Sequence, residues 1–560
     1  LFKYPEELAE AFEKDAPDLI GFSNYCWNSA LSRAFAAAIK KRHPRVLVVM
    51  GGPNFPMDPA EQDEVLSAHP EIDFFLLKEA ELAFLRLLEA LHSAGLDRDR
   101  FEREAPPDLP NLVYRDRAGL LRASPKLDRV PDLQDIPSPY LEGDMDRFFD
   151  GRLLPVVQTN RGCPFSCTFC TEGQTYWSKV RFKPAETVRQ EIELIAERLG
   201  ALPPNKRRTD LLIADSNFGM YQGDLDTCRV LARTQASHGY PKYINVATGK
   251  NSKERVLEAA RLVNGAMKLA GSVQSLDPDV MKNIKRANIS SEQIVEMAMK
   301  SAEIGTNTYS EVILALPGDT KEKHFLTLKT LIDSGFNTVS MYQLMLLPGT
   351  ELGSRESKER YRMRGKYRVL PRCFGYYDFL GETLVAAEVE EICVEHATLS
   401  YQDYLDCRRM NLFVNVFYND SVFAELMKLV KGTGLSQWDF LLHLYSRRPS
   451  PRFQELVDRF LEETRSEGWD DPEAFRRFLQ DPAVIDKYIA GEYGSNLIFK
   501  YKALSMTEYF PAVADEVASA AEEFLASRAA APECKELAQE VVLYNRHRVA
   551  DIFSSARGPR

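Results

Sequence analysis

The chain has 560 residues, 44% hydrophobic and 27% charged, ordinary for a globular protein and too long for one core, so about two to four domains are expected. Its 71 basic and 82 acidic side chains leave a net charge of −11, which speaks against a broad nucleic-acid footprint. No apolar run is long enough to cross a bilayer, and the charged opening LFKYPEELAEAFEKDAPDL is no signal peptide; a cytoplasmic location with no nucleic-acid or membrane partner is expected.

In chain order, residues 1–112 alternate strand-like runs (DLIGFS, RVLVVMGGP, DFFLLK) with helical ones (SALSRAFAAAIKKRH, PAEQDEVLSAH), the pattern of a doubly wound, Rossmann-like α/β domain. Such domains bind ligands beyond the carboxyl ends of their strands. Residues 113–150 are rich in Pro and turn formers and read as an extended connector. Residues 151–366 contain six strand runs, LLPVVQT, TDLLIAD, YINVATG, MKLAGSVQS, TYSEVILAL and TVSMYQLML. Amphipathic helices separate them, which predicts a partial (β/α)6 barrel with right-handed crossovers and a catalytic face at the strand carboxyl ends. Residues 367–560 read as a mostly helical C-terminal domain with no strand run of comparable strength. That region is expected to close over the open side of the barrel and touch the substrate. The run RCFGYYDF, with Tyr376 and Tyr377, is the first place to look.

GCPFSCTFCTEG, just after the first barrel strand, places Cys163, Cys167 and Cys170 within eight positions. Six further cysteines are scattered (Cys26, Cys228, Cys373, Cys393, Cys407 and Cys534), so no disulfide framework is visible and reduced thiols are the simplest reading. A structural zinc site wants four ligands, and no fourth Cys or His lies near the C-x3-C-x2-C spacing. Three thiolates can instead hold three irons of a [4Fe-4S] cube and leave the fourth iron open to a ligand.

This motif, with Phe169 before its last cysteine and the later LPGDT and LPGTEL turns, resembles the radical S-adenosylmethionine enzymes over roughly residues 153–353. The resemblance implies a [4Fe-4S] cluster on Cys163, Cys167 and Cys170. It also implies S-adenosylmethionine chelating the open iron, and an external electron donor such as a flavodoxin or ferredoxin. Phe169, Asp215, Asn217, Ser272, Gln274, Arg286 and Glu311 fall where family members contact S-adenosylmethionine. The usual Gly-Gly-Glu at the close of the second strand is Asp215-Ser216-Asn217 here, which leaves the amino-group partner open. The first region, in PDLIGFSNYCWNSA, VVMGGPNF and DFFLLKEAELAFLRLLEAL, resembles the cobalamin-binding domain of one subgroup. That implies cobalamin near Ser23, Trp27, Asn28, Gly51, Gly52 and Pro53, the glycines letting backbone approach a bulky ligand. The Asp-x-His-x-x-Gly loop of related domains is absent, and Gly-Glu-Gly-Glu is changed to Lys78-Glu79-Ala80-Glu81. The domain's first strand is missing too, which fits a chain that begins part-way through its fold.

The leading functional reading is a cobalamin-dependent methyltransferase. It would act through a 5′-deoxyadenosyl radical on an unactivated carbon or a phosphorus of a small-molecule or natural-product substrate. Ring contraction or cyclisation, with cobalamin as electron partner, is the runner-up. A methylthiotransferase would need a second cysteine-ligated cluster, and only Cys26 precedes the motif. A non-enzymatic iron–sulfur sensor is the remaining alternative.

Overall fold

The computed structural model describes residues 2–104, 109–249, 251–287, Gln293, Glu296, 308–419 and 421–550. Its N-terminal sheet runs β1 (Leu19–Ser23), β2 (Leu47–Gly51), β3 (Phe74–Leu76), β4 (Leu112–Arg115), β5 (Leu121–Ala123) in that spatial order. β1 to β3 are parallel, with Ser23 beside Gly51 and Gly51 beside Leu76, so their carboxyl ends are flush. Burial on both faces explains the unbroken apolar run of β2. Leu47 and Val49 face Leu87 and Leu91 of helix Glu81–Ser93, while Val48 and Met50 face Ala36 and Leu66 of helices Ser29–Arg42 and Pro59–Ala68. The start of the expected connector is part of this sheet. β4 pairs antiparallel with β3, and β5 with β4.

The second domain contains all six expected barrel strands: β6 (Val156–Val157), β9 (Asp210–Phe218), β10 (Tyr243–Thr248), β11 (Leu269–Ala270), β12 (Thr308–Leu314) and β13 (Thr338–Gln343). They form two parallel three-stranded arcs, β10-β9-β6 and β11-β12-β13, joined by the parallel bridge between Ile244 and Met267. A short antiparallel ribbon, β7 (Asn160–Arg161) with β8 (Arg181–Phe182), closes the two ends of the cysteine loop.

The third region opens with a long antiparallel hairpin, β14 (Arg364–Phe379) with β15 (Glu382–Glu395), where the sequence reading saw no strong strand. The reason lies in its buried face. In β15 that face carries Ala386, Glu388, Glu390 and Ile392, so the alternation that marks a half-buried strand is interrupted by carboxylates. Both acids are partnered. Glu388 accepts from the backbone N–H of Ala30 (2.8 Å) and Leu31 (3.0 Å), capping helix Ser29–Arg42 of the first domain. Glu390 accepts from Arg368 at 2.7 Å. The hairpin tip packs Phe379 and Leu380 on Phe12, Phe35 and Ile39, and β15 pairs with the chain leaving β13 through Leu346 N–H to Glu391 O (2.9 Å) and Cys393 N–H to Leu344 O (2.8 Å). Truncating a buried Phe such as Phe379 costs about 3–5 kcal/mol, so the hairpin joins the first two domains firmly.

After the hairpin the described chain is helical, as expected. Its aromatic core, including Phe413, Phe417, Phe453 and Phe460, is continuous with Phe336 and Val339 on the barrel flank. Among the described residues no helix is long and apolar enough to cross a membrane.

Candidate functional site

The cysteine loop leaves β6 at the carboxyl-end face of the arc. Thr168 N–H donates to Ile284 O (3.1 Å) and Leu352 N–H to Thr168 O (3.0 Å), tying the loop to two barrel turns. Gly173 is needed there, because a Cβ on it would lie 2.0 Å from Cys167 O. Cys163 and Cys167 are buried, Cys170 is half-buried, and no disulfide joins the cysteines. Two donors aim at the sulfurs: Asn217 Nδ2 to Cys163 Sγ (3.2 Å) and Arg286 Nη1 to Cys167 Sγ (3.7 Å). Hydrogen bonds to thiolate sulfur are a recognised control on cluster potential. Among the described residues no three His, Cys, Asp or Glu side chains converge on a single-ion point; three thiols spread along one loop suit the corners of a cube.

Around the loop, the candidate S-adenosylmethionine contacts divide into two kinds. Asn217 Oδ1 and Gln274 Oε1 are buried acceptors with no partner among the described residues, which fits a ligand that brings an ammonium group and ribose hydroxyls. Gln274 also sits at φ +65, a left-handed conformation uncommon outside glycine and found disproportionately at functional sites. Ser272 donates to Glu311 Oε2 (2.7 Å), presenting that carboxylate at the arc's mouth. Asp215 is of the other kind. Its Oδ1 accepts from Thr159 N–H (2.8 Å) and Asn160 N–H (3.3 Å), and its Oδ2 from Asn160 Nδ2 (2.8 Å) and the Thr159 hydroxyl. Four donors fill the four lone-pair positions of a carboxylate, so Asp215 is taken up in tying β9 to the chain entering β7. Burial raises its carboxyl to about 6.

Three residues near the loop are not among the expected contacts. Ser216 donates to Glu172, two positions after Cys170. Lys253, its ammonium lowered to about 8 by burial, stands close enough to Arg286 to feel its charge. Gln174 accepts from Lys78 at the end of β3 and donates to Gly349 O. None carries a recognisable motif, and only the fold brings them to the cluster loop. The part of NIKRANIS beyond Ala287 lies outside the described residues.

Comparison with known proteins bears directly on this arrangement. A B12 binding domain model matches residues 2–88 and a radical SAM superfamily model matches residues 157–331. The chain thus carries a B12 binding domain followed by a radical SAM domain. It is 32% identical over 421 residues to 2-(S-pantetheinyl)-carbapenam-3-carboxylate methyltransferase of Streptantibioticus cattleyicolor, covering 72% of this chain and 58% of that one. It is 33% identical over 369 residues to the cobalamin-dependent radical SAM methyltransferase TokK of Streptomyces tokunonensis, covering 64% and 51%. The chain thus spans little more than half the length of these curated relatives. The cobalamin-dependent S-adenosylmethionine radical enzyme OxsB with aqua-cobalamin bound shares the fold, at a TM-score of 0.50 and 13% identity, over 98% of this chain and 74% of that one. The cofactors that these two domains imply are the [4Fe-4S] cluster, S-adenosylmethionine and cobalamin.

Between these two domains the two sets of strand ends meet. Lys78, Gln174 and Gly349 form one chain of contacts from β3 to the cysteine loop and on to the LPGTEL turn. Glu79 takes Arg129 Nε (3.0 Å) and Nη2 (2.9 Å), and that guanidinium stacks on Tyr176 and Trp177 of the cysteine loop. Glu81 pairs with Arg161 at 2.8 Å. The altered Lys-Glu-Ala-Glu stretch is therefore an interdomain seam. Next to Gly349, a cavity of about 700 Å³ is lined by Asn24, Asn54, Phe55 and Pro56 beyond the β1 and β2 ends, by Leu346–Pro348 of the barrel and by Val385–Glu391 of β15. Its position and mixed lining fit part of a corrinoid.

Among the candidate corrinoid contacts, Trp27 is 54% exposed and stacks on Tyr25 at 4.5 Å. Ser23 and Asn28 bond each other at 2.7 Å and shape that loop. Pro53 lies against Gly349. Gly51 and Gly52 differ. A Cβ on Gly51 would make ordinary contacts of 3.5 Å, whereas one on Gly52, at φ +145, would lie 2.3 Å from Asn24 O. The space left by the missing Gly52 side chain is taken by the β1 loop, which corrects the expectation that it lies open to a ligand. Tyr376 and Tyr377 also stand elsewhere than expected. Tyr376 OH donates to Pro482 O (2.7 Å), and Tyr377 packs against Phe35 of the first domain. The hairpin residues that reach the barrel mouth are Arg368 and Pro371, earlier on the same strand.

Proposed function

We propose that this enzyme transfers a methyl group to an unactivated carbon, or a phosphorus, of a small-molecule substrate. The observation that carries the proposal is the meeting of the two α/β strand-end faces across the Lys78–Gln174–Gly349 contacts, with the 700 Å³ cavity beside them. Relatives that match most of this chain at about a third identity are named as methyltransferases, one of them acting on a carbapenam carboxylate. When bound, the cluster and S-adenosylmethionine supply a 5′-deoxyadenosyl radical and cobalamin supplies the methyl group.

The chain's own residues position and shield that chemistry. Cys163, Cys167 and Cys170 would hold the cluster, with Asn217 and Arg286 directing N–H groups at two of the sulfurs. Asn217 Oδ1 and Gln274 Oε1 would accept from the bound S-adenosylmethionine, and Glu311, held by Ser272, would take a ribose hydroxyl. Phe169, Ile313 and Leu344 give the mouth an apolar wall, which limits the water that would quench a radical. The Asn24–Asn28 loop, with Trp27 outward, would face the corrin. A flavodoxin or ferredoxin would deliver electrons from outside.

The test is anaerobic reconstitution with iron, sulfide and cobalamin, followed by desalting. Corrin absorption should persist, and reduced protein given methyl-deuterated S-adenosylmethionine should form both S-adenosylhomocysteine and 5′-deoxyadenosine. Protein that keeps its iron but holds no corrin and makes no S-adenosylhomocysteine would refute methyl transfer.

A further inference from the structure

A second cavity, about 410 Å³, opens at the mouth of the barrel arc between Phe169, Gln274 and Glu311 on one side and the helical region on the other. Its size is that of a small-molecule site. One of its walls is helix Tyr401–Phe417, started by a capping box in which Ser400 and Asp403 satisfy each other's backbone N–H. That helix brings Arg408, Asn411 and Asn415 to the cavity, one above another at helical spacing.

Arg408 is the anomaly. It is 4% exposed, makes no hydrogen bond or ion pair among the described residues, and has an orphaned Nε. Its neighbour Arg368 differs in this respect, giving Nε to Glu390 (2.7 Å) and Nη1 to Glu467 (3.0 Å). The Arg408 guanidinium carbon lies 5.5 Å from the Phe460 ring centre, which fixes the group without using its N–H donors. Burial pushes its pKa down, and the nearby Tyr404 and Glu467 offset that only in part. A buried, hydrogen-bond-starved guanidinium is costly unless something completes it. The cavity it lines is where that partner can enter.

Resting on the function proposed above, we propose that Arg408 seats a carboxylate of the substrate and so fixes which carbon faces the radical. The planar fork of a guanidinium matches a carboxylate with two parallel hydrogen bonds. Asn411 and Asn415 lie beside it, while Glu467 and Glu311 on the same cavity disfavour a dianion such as phosphate. The group binds an anion and takes no part in bond making; it is a positioning residue.

The test uses the reconstituted holoenzyme and two compact probes, N-acetyl-L-proline and its neutral carboxamide, with dissociation constants from saturation-transfer NMR. Wild type should bind the acid at least about tenfold more tightly than the amide, the span of one charge-assisted contact. Arg408→Gln should lose that preference, and Arg408→Lys should keep part of it. Corrin retention and 5′-deoxyadenosine release without substrate should be unchanged in Arg408→Gln, and thermal melting checks folding. Equal binding of acid and amide by wild type, or a preference retained in Arg408→Gln, overturns the inference. If Arg408→Gln fails to fold, wild type and Arg408→Lys decide it. Loss of the methyl-transfer reading would show instead as missing corrin or S-adenosylhomocysteine with the acid preference intact.

Discussion

Replacing Gly52 with Ala separates the two glycines that the sequence presents as a pair. The new Cβ would stand 2.3 Å from Asn24 O, 2.8 Å from Asn24 C and 2.9 Å from Asn24 N. To clear that oxygen the β1 loop must move by close to 1 Å, a shift comparable to the overpacking that costs about 1–3 kcal/mol in cores. The φ of +145 adds strain of about 1–3 kcal/mol for a residue with a Cβ. The same movement loosens Asn24 N–H to Gly51 O (2.7 Å), Asn54 N–H to Asn24 O (3.2 Å) and Asn24 Nδ2 to Asn54 O (2.9 Å). A total of about 2–6 kcal/mol is expected, concentrated in the loops proposed to face the corrin. Gly51→Ala, whose Cβ meets only ordinary 3.5 Å contacts, is the internal control and should change stability by less than about 0.5 kcal/mol. Urea unfolding of the apoprotein gives the stability term. Corrin absorption after desalting gives the binding term, and iron content reports the cluster. Gly52→Ala should lower one or both of the first two and leave iron unchanged. If Gly52→Ala matches Gly51→Ala in urea midpoint and corrin retention, the reasoning is wrong.

Single Ala variants of Cys163, Cys167 and Cys170 should each lose iron and S-adenosylmethionine cleavage, measured as 5′-deoxyadenosine; cleavage retained in all three would remove the cluster assignment. Burial holds Asp224, like Asp215, at about 6, so the folded form keeps a proton that the unfolded chain releases near 4. Their contribution to unfolding free energy therefore falls as pH rises from about 4 to 6 and is flat above. Asp224→Asn should flatten its share of that slope, no more than about 3 kcal/mol, in urea titrations at pH 4.5 and 7. Glu388→Ala leaves the Ala30 and Leu31 N–H groups uncapped and should cost about 1–3 kcal/mol in the same assay while iron content stays at the wild-type level.

What could be read from the chain was whatever local pattern dictates. The six barrel strands and the placement of the cysteines after the first of them follow from apolar runs, turn residues and one dense motif. The β14–β15 hairpin did not, because Glu388 and Glu390 occupy positions that alternation reserves for apolar side chains, and their partners come from Ala30, Leu31 and Arg368. Gly52 was noticed for a reason the fold does not use. The open side accommodates Asn24, 28 positions earlier, and no local signal encodes that. Asp215 stood in the right strand, yet its role depends on Thr159 and Asn160 across the sheet. Arg408 was invisible in YLDCRRMNLF, an ordinary amphipathic stretch, since only burial without a partner sets it apart.

The Glu388 cap has a consequence for the order in which the protein matures. Helix Ser29–Arg42 has no side-chain cap of its own, and its first turn is completed by a carboxylate 358 residues downstream of Ala30. During synthesis the N-terminal sheet emerges well before that carboxylate exists. The Asn24–Asn28 loop, which leads straight into this turn, must wait for the barrel and the hairpin before it takes its final shape. Cofactor loading on that side thus belongs to the finished chain, and a ribosome-bound fragment ending before residue 388 would expose a half-built site with little hold on a corrinoid.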